Sequence, residues 1–291
     1  MHRLLVGYDG SDAAGAASAF ALWLAGKTGA QATLLHVSPE LGDAAHATHA
    51  AAAEALLAAA EQRLEEGMTW RRRLDDLAAY AAEGAAVECD VVRGAPAATL
   101  LEEARSRAAD LLLVGSVGVG MLRAAFLGSV SSQVVDHAPC PVLVFREGQP
   151  ASPAHVDAIV VGVDGSPSSL EAVGLARALA APLDARVVLV SAFEPGVALD
   201  LPTSEIRDEL HEASAWLDAA RGRVGGDVEV VEEVVADHPR QGLLEACERH
   251  GPALLAVGSR GLGGFAGLLL GSTSRWVLDH APCPVLVARG H

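Results

Sequence analysis

The chain has 291 residues, of which 51% are apolar and 20% charged, a composition typical of a folded globular protein rather than a disordered one. Its formal net charge of −16 repels phosphate backbones and anionic lipid, which argues against nucleic-acid and membrane-surface roles. The length suits two domains better than one.

The cysteines and the N-terminal residues both favour a cytoplasmic protein. Cys89, Cys140, Cys247 and Cys283 form no C-x-x-C pair, so we expect buried free thiols in a reducing compartment. The opening "MHRLLVGYDGSD" resembles a strand rather than a signal peptide, and no apolar run reaches the ~18 residues of a membrane span.

The chain is one unit written twice. "LLVGYDGS" at 4–11 recurs as "IVVGVDGS" at 159–166, and "DHAPCPVLV" at 136–144 recurs unchanged at 279–287. The offset is 155 residues at the front and 143 at the back, so the first copy carries twelve extra residues between Ser38 and Val87. The linker "REGQPASPAHVD" at 146–157 separates domains predicted at 1–147 (unit 1) and 155–291 (unit 2).

Apolar runs alternate with helical patterns in chain order. The predicted strands are 3–8, 32–37, 87–92, 110–115 and 141–146 in unit 1, and 158–163, 186–192, 228–235, 253–258 and 284–289 in unit 2. Helices are predicted at 12–28, 43–82, 96–107 and 129–137, with counterparts in unit 2. Because several strands are apolar on both faces, we predict two tandem doubly wound α/β domains, each with a parallel sheet between helices. Pro141 and Pro284 mark the last strands as sheet edges, which we expect to pair with each other.

Two glycine segments follow the fourth strand of each unit. Gly115-x-x-Gly118 is followed, after nine intervening residues, by Gly128-Ser129, and unit 2 repeats this spacing from Gly258. Glycine allows close backbone approach, and a helix N-terminus supplies free N–H groups that suit phosphate. Ser131 and Ser274 are predicted to add hydroxyl donors.

An aspartate ends the first strand of each unit, Asp9 and Asp164. Each carboxylate could accept bonds from ribose hydroxyls or coordinate a magnesium ion carried by phosphates. Alone, each would be read as a turn residue, since Asp-Gly is a common turn dipeptide. The glycine segment at the same end of the sheet favours a functional role.

Together, "VGYDGS", the G-x-x-G-(nine)-G-S segment and the closing "CPVLV" resemble the universal stress protein family in its tandem form. The resemblance implies a Rossmann-like sheet of strand order 3-2-1-4-5, ATP with magnesium, and homodimers, which we expect to form through sheet-edge strands. Val37 and Ala192 would lie against adenine. The implied nucleotide-binding residues are Gly7, Asp9, Val37, Gly115, Ser116, Gly118, Gly128, Ser129 and Ser131 in unit 1, and Gly162, Asp164, Ala192, Gly258, Ser259, Arg260, Gly261, Gly271, Ser272 and Ser274 in unit 2.

Three functions remain open from the sequence. The chain has donors for phosphate and no evident base to activate water, which favours a nucleotide-dependent stress-response regulator with one ATP per unit. A slow ATPase or nucleotidyl-transfer enzyme, with Asp9 or Asp164 holding the metal, is the alternative, and a scaffold without nucleotide is the third. No lysine lies in either glycine segment, so Arg123 and Arg260 are the candidate γ-phosphate contacts. Asp237, which stands where unit 1 has Gly94, favours ATP binding in unit 1.

Overall fold

The protein is described by a computed structural model that covers residues 1–38, 69, 71–75, 78, 85–118, 127–146, 148, 156–193, 203–251, 253–262 and 269–289. Most of the predicted helix at 43–82 lies outside these residues, and so does Arg123.

The described elements follow the predicted alternation closely. The strands are β1 Arg3–Gly7, β2 Gln31–Ser38, β3 Ala86–Arg93, β4 Leu111–Gly115, β5 Val142–Phe145, β6 Ala158–Gly162, β7 Arg186–Phe193, β8 Val230–Ala236, β9 Ala253–Gly258 and β10 Val285–Ala288. The helices are α1 Asp12–Thr28, α2 Pro96–Ser106, α3 Ser129–His137, α4 Pro167–Leu183, α5 Thr203–Val224, α6 Pro239–Arg249 and α7 Ser272–His280.

Local capping sets the first helix of each unit. Ser11 and Ser166 are the N-caps of α1 and α4, and each hydroxyl accepts from a backbone N–H in the first turn at 3.2 Å. Pro167 begins α4, where its missing N–H costs nothing. Gly29 ends α1 in the left-handed conformation, with φ of 70°.

Each unit forms a parallel sheet in the predicted order 3-2-1-4-5. The order is β3-β2-β1-β4-β5 in unit 1 and β8-β7-β6-β9-β10 in unit 2. Successive residues of one strand enter different apolar clusters: Leu4 and Val6 lie in one, and Leu5 in the other. The strands are therefore buried on both faces, as the apolar runs predict.

The two sheets join into one sheet of ten strands. The last strands, β5 and β10, pair antiparallel, with Leu143 opposite Leu286 at the centre of the seam. The edges that the sequence marked for pairing thus cover each other within the chain. A homodimer, which remains a prediction, has to use a surface other than these two strands.

The structure also describes the four cysteines and the lengths of the helices. All four cysteines carry free thiols, of which three are buried as predicted and Cys89 is only partly buried. Burial raises the pKa of Cys140 to about 11. Among the helices of the described residues, none is both long enough and apolar enough to span a membrane.

Candidate functional site

A cavity of about 560 Å³ lies in unit 2 at the carboxyl ends of β6, β7 and β9, where open α/β sheets bind ligands. Nine of the ten residues predicted for this unit line it: Gly162, Asp164, Ala192, Gly258, Arg260, Gly261, Gly271, Ser272 and Ser274. The tenth, Ser259, is buried at 4% exposure. Residues far apart in sequence are thus brought together by the sheet.

The aspartate after the first strand has the same setting in both units. Oδ1 of Asp164 accepts from the N–H and the hydroxyl of Ser166, at 3.0 and 2.6 Å, and Asp9 accepts from Ser11 at the same distances. These two bonds fix the rotamer and leave Oδ2 directed at the glycine loop. Oδ2 of Asp164 lies 2.5 Å from the position that a Cβ would take at Gly261, and Oδ2 of Asp9 lies 2.7 Å from that position at Gly118.

The first glycine of each motif serves packing in this structure. A Cβ at Gly115 would lie 2.9 Å from the backbone nitrogen of Ala14, in the first turn of α1. At Gly258 it would lie 2.7 Å from the nitrogen of Ser169, in α4. The close approach that we predicted for phosphate at these two positions is taken by a helix. Gly7 and Gly162 likewise face leucine side chains, at 3.1 and 3.2 Å from an added Cβ.

The third glycine closes the loop and starts a helix. The N–H of Gly128 donates to the carbonyl of Ser116 at 2.7 Å, and that of Gly271 donates to Ser259 at the same distance. Both glycines are N-caps, of α3 and α7, and neither helix has a side-chain cap. The first-turn N–H groups of these helices therefore have no side-chain acceptor at the cap, and the positive end of each helix dipole lies there.

Two predicted hydroxyl donors are used internally. Ser131 Oγ donates to the carbonyl of Gly115, and Ser274 Oγ donates to that of Gly258, both at 2.6 Å. A hydroxyl has one proton, so neither can donate to a ligand in this conformation. This differs from the role predicted for them and leaves Ser129 and Ser272 as the hydroxyls at the helix N-termini.

Trp216 is the main lining residue that the sequence did not reveal. It belongs to α5, lines the cavity, and rests on the turn after Asp164, where a Cβ at Gly165 would lie 2.6 Å from the indole Cδ1. Leu74 and Leu217 are both buried and are separated by the offset of 143 residues that relates the back halves of the two units. With this alignment, Arg73 is the residue of unit 1 that corresponds to Trp216. Because the two copies differ at this position, the repeat gave no signal for it. The other residues that the prediction missed are Val163, Ser169, Val190, Pro239, Leu243, Val257, Leu262 and Thr273.

In unit 1, the titratable side chains of Tyr8 and His36 lie near Arg73, the counterpart of Trp216. Nδ1 of His36 lies 2.8 Å from the carbonyl of Tyr8. Burial lowers the pKa of His36, and the charge of Arg73 acts in the same direction. Burial also raises the pKa of Tyr8. Val37, the predicted adenine contact, is buried at 8% exposure and pairs with Val92 of β3.

Asp237, which stands where unit 1 has a glycine, does not line the unit 2 cavity. Asp237 Oδ1 accepts from the N–H of His238 at 2.6 Å, and Asp237 is not among the described residues that line the site. Asp237 therefore gives no ground to expect weaker ATP binding in unit 2 than in unit 1. Among the described residues, no group of three His, Cys, Asp or Glu could hold a metal by itself.

The fold and site together define a doubly wound α/β protein with a pocket at the carboxyl ends of the unit 2 strands. The family model described as universal stress protein family matches residues 1–146 and 155–289. The chain belongs to the universal stress protein family, with two copies of its domain.

Curated relatives agree with this assignment, and a solved structure agrees with the fold. A universal stress protein of Mycobacterium tuberculosis, Rv2005c, is 35% identical over 210 residues, which cover 70% of this chain and 69% of that protein. Another from the same organism, Rv1996, is 37% identical over 198 residues, covering 63% and 60%. The crystal structure of a universal stress protein from Archaeoglobus fulgidus matches with a TM-score of 0.66 at 20% identity, covering 99% of this chain and 98% of that one, which supports the fold.

Proposed function

We propose that the protein is an ATP-binding universal stress protein that senses nucleotide, with one site in each unit. The observation that carries the proposal is the convergence of nine predicted residues of unit 2 on one cavity. Its volume of about 560 Å³ lies within the range of ~300–1,000 Å³ typical of small-molecule sites.

The cavity has an apolar part that suits the base of a nucleotide and a polar part that suits its phosphates. Apolar side chains of Val190, Ala192 and Leu243 cover one part, where a base would avoid water. Gly271 and Ser272 cover another part, at the uncapped N-terminus of α7. Phosphate placed there would meet free N–H groups and the positive end of the helix dipole. These local donors oppose the repulsion from the net charge of −16.

In unit 1, a buried hydroxyl group supports a nucleotide site. Ser116 is 3% exposed, and its Oγ has no hydrogen-bond partner among the described residues. A buried hydroxyl without a partner costs free energy, which a bound acceptor would recover. Ser116 opens the glycine loop of unit 1, so a phosphate oxygen there is a suitable acceptor.

A magnesium ion fits these sites as part of a nucleotide complex. Mg²⁺ binds commonly through one or two carboxylates together with phosphate oxygens and water. Asp9 and Asp164 each supply one carboxylate, whose Oδ2 faces the glycine loop. The bound ion would neutralise phosphate charge, while the protein holds the carboxylate through Ser11 or Ser166.

The experiment is to denature the purified protein and identify any nucleotide released, then to titrate Mg-ATP and follow thermal unfolding. We expect ATP in the supernatant or a rise in Tm with Mg-ATP, because a ligand that binds the folded state stabilises it. Absence of both results would exclude the sensor function. Following ADP over time separates a sensor from a slow ATPase.

Glycine variants locate the sites. Gly118→Glu and Gly261→Glu place a side chain against the Oδ2 of Asp9 or Asp164 and add a like charge, so each is expected to abolish binding in its own unit. Gly174→Ala is the control, because a Cβ there meets nothing within 4 Å. Calorimetry should count one ATP less for each glutamate variant and no change for the control. Normal stoichiometry in both glutamate variants would show that the sites lie elsewhere.

A further inference from the structure

A carboxylate of unit 2 holds the backbone at the start of α3 in unit 1. The N–H of Leu127 donates to Oδ1 of Asp279 at 2.9 Å. Leu127 immediately precedes Gly128, the N-cap of α3, and Asp279 lies in the last turn of α7. The glycine loop of unit 1 is therefore attached, just before its helix, to the other half of the molecule.

The antiparallel seam brings these groups together. Because β5 and β10 run in opposite directions, α3 and α7 run side by side in opposite directions, and the end of one lies by the start of the other. Arg275 of α7 donates to Ser132 Oγ and to Asp136 Oδ1 of α3, each at 2.7 Å. Arg146, beyond β5, donates to the carbonyl of Asp279 and so holds the end of α7 in place.

The two units differ in the residue that faces this aspartate across the seam. Asp136 and Asp279 occupy the same place in the repeated "DHAPCPVLV", and Ser132 corresponds to Arg275. Arg275 takes the carboxylate of Asp136 in an ion pair. The matching position opposite Asp279 is Ser132, which has no positive charge, and Asp279 accepts the Leu127 N–H instead.

We propose that Asp279 is a positioning residue for the nucleotide site of unit 1, so that this site is completed by unit 2. The inference rests on the proposed ATP binding. Gly128 leaves the entry to α3 conformationally permissive, and the bond to Asp279 fixes the peptide next to it. A helix entry that is held in its binding geometry before the ligand arrives loses less entropy on binding, which increases affinity.

The test isolates unit 1 with Gly261→Glu, which blocks unit 2, and titrates Mg-ATP by calorimetry. In this background we compare Asp279→Ala, Asp279→Asn and Asp136→Ala. The alanine variant loses a hydrogen bond to a charged group, and we expect its Kd for Mg-ATP to rise about tenfold. Asn keeps an oxygen acceptor and should restore most of the affinity. Asp136→Ala removes the matching carboxylate, which holds Arg275 rather than the loop, and should leave the Kd unchanged.

A second measurement does not depend on nucleotide. Amide hydrogen exchange of Leu127, followed by NMR without ligand, should accelerate in Asp279→Ala and not in Asp136→Ala. If the Gly261→Glu background binds no Mg-ATP while the wild-type protein does, or if the wild-type protein binds none, the proposed site of unit 1 fails, and with it this inference. If the background binds and Asp279→Ala binds equally well, the proposed function stands and the role of Asp279 is overturned. Equal losses in Asp279→Ala and Asp136→Ala would also overturn it, because they would indicate general weakening of the seam.

Discussion

At the scale of single residues, the glycines of one motif make room for different neighbours. Gly115 gives room to the first turn of α1, whereas Gly118 gives room to the Asp9 carboxylate. The N-caps differ as well: the Ser11 hydroxyl accepts from the first turn of α1, whereas Gly128 offers the first turn of α3 no side-chain acceptor.

The indole of Trp216 is expected to contribute to nucleotide affinity in unit 2. With ATP in the unit 2 cavity as proposed, Trp216→Ala should raise the Kd of that site roughly twofold to tenfold, since aromatic contacts contribute about 0.5–1.5 kcal/mol beyond burial. The affinity of unit 1, isolated by Gly261→Glu, should not change. Trp276→Ala is the control, because Trp276 stacks on His280 at 4.1 Å and is not a described lining residue. Equal affinity of Trp216→Ala and wild type, in a Gly118→Glu background, would contradict the prediction.

At the scale of elements, the pairing of β5 with β10 joins the sheets of the two units. Leu143 and Leu286 face each other across it, and both are fully buried. Each strand has only four residues, so the ladder itself is short. The apolar side chains therefore carry much of the stabilisation at this junction.

Leu286→Ala tests that statement. Truncating a fully buried leucine is expected to lower the free energy of unfolding by about 2–5 kcal/mol, from lost burial and the cavity left behind. Denaturant unfolding followed by circular dichroism measures the change. Leu210→Ala, at a side chain that is 40% exposed, should change stability by less than about 0.5 kcal/mol. Similar values for the two variants would show that the seam is not tightly packed.

The elements were predictable because their signals are local. The interval predicted for α1, 12–28, matches the observed helix, since Ser11 and Gly29 mark its two ends. The use of the Ser131 proton was not predictable, because it depends on where the carbonyl of Gly115 points after folding. The bond from Leu127 to Asp279 joins residues 152 apart and follows from the seam, so no local pattern contains it.

At the scale of the whole molecule, the ten-stranded sheet lets each half cover an edge strand of the other. A fragment of residues 1–148 would expose β5, whose four residues are at most 2% exposed in the intact chain. An uncovered apolar edge strand pairs with another copy. We therefore expect the fragment to dimerise through β5, measured by light scattering after size-exclusion chromatography. A stable monomer at micromolar concentration would show that unit 1 does not need this edge covered.

The antiparallel seam also sets a direction for each half. Strands are parallel within each unit, and β5 runs opposite to β10, so the carboxyl ends of the two half-sheets lie at opposite edges of the molecule. The candidate site of unit 1 and the cavity of unit 2 therefore open on opposite sides. If both sites bind nucleotide as proposed, a partner that recognises one occupied site would not meet the other, and each site would face a separate neighbour.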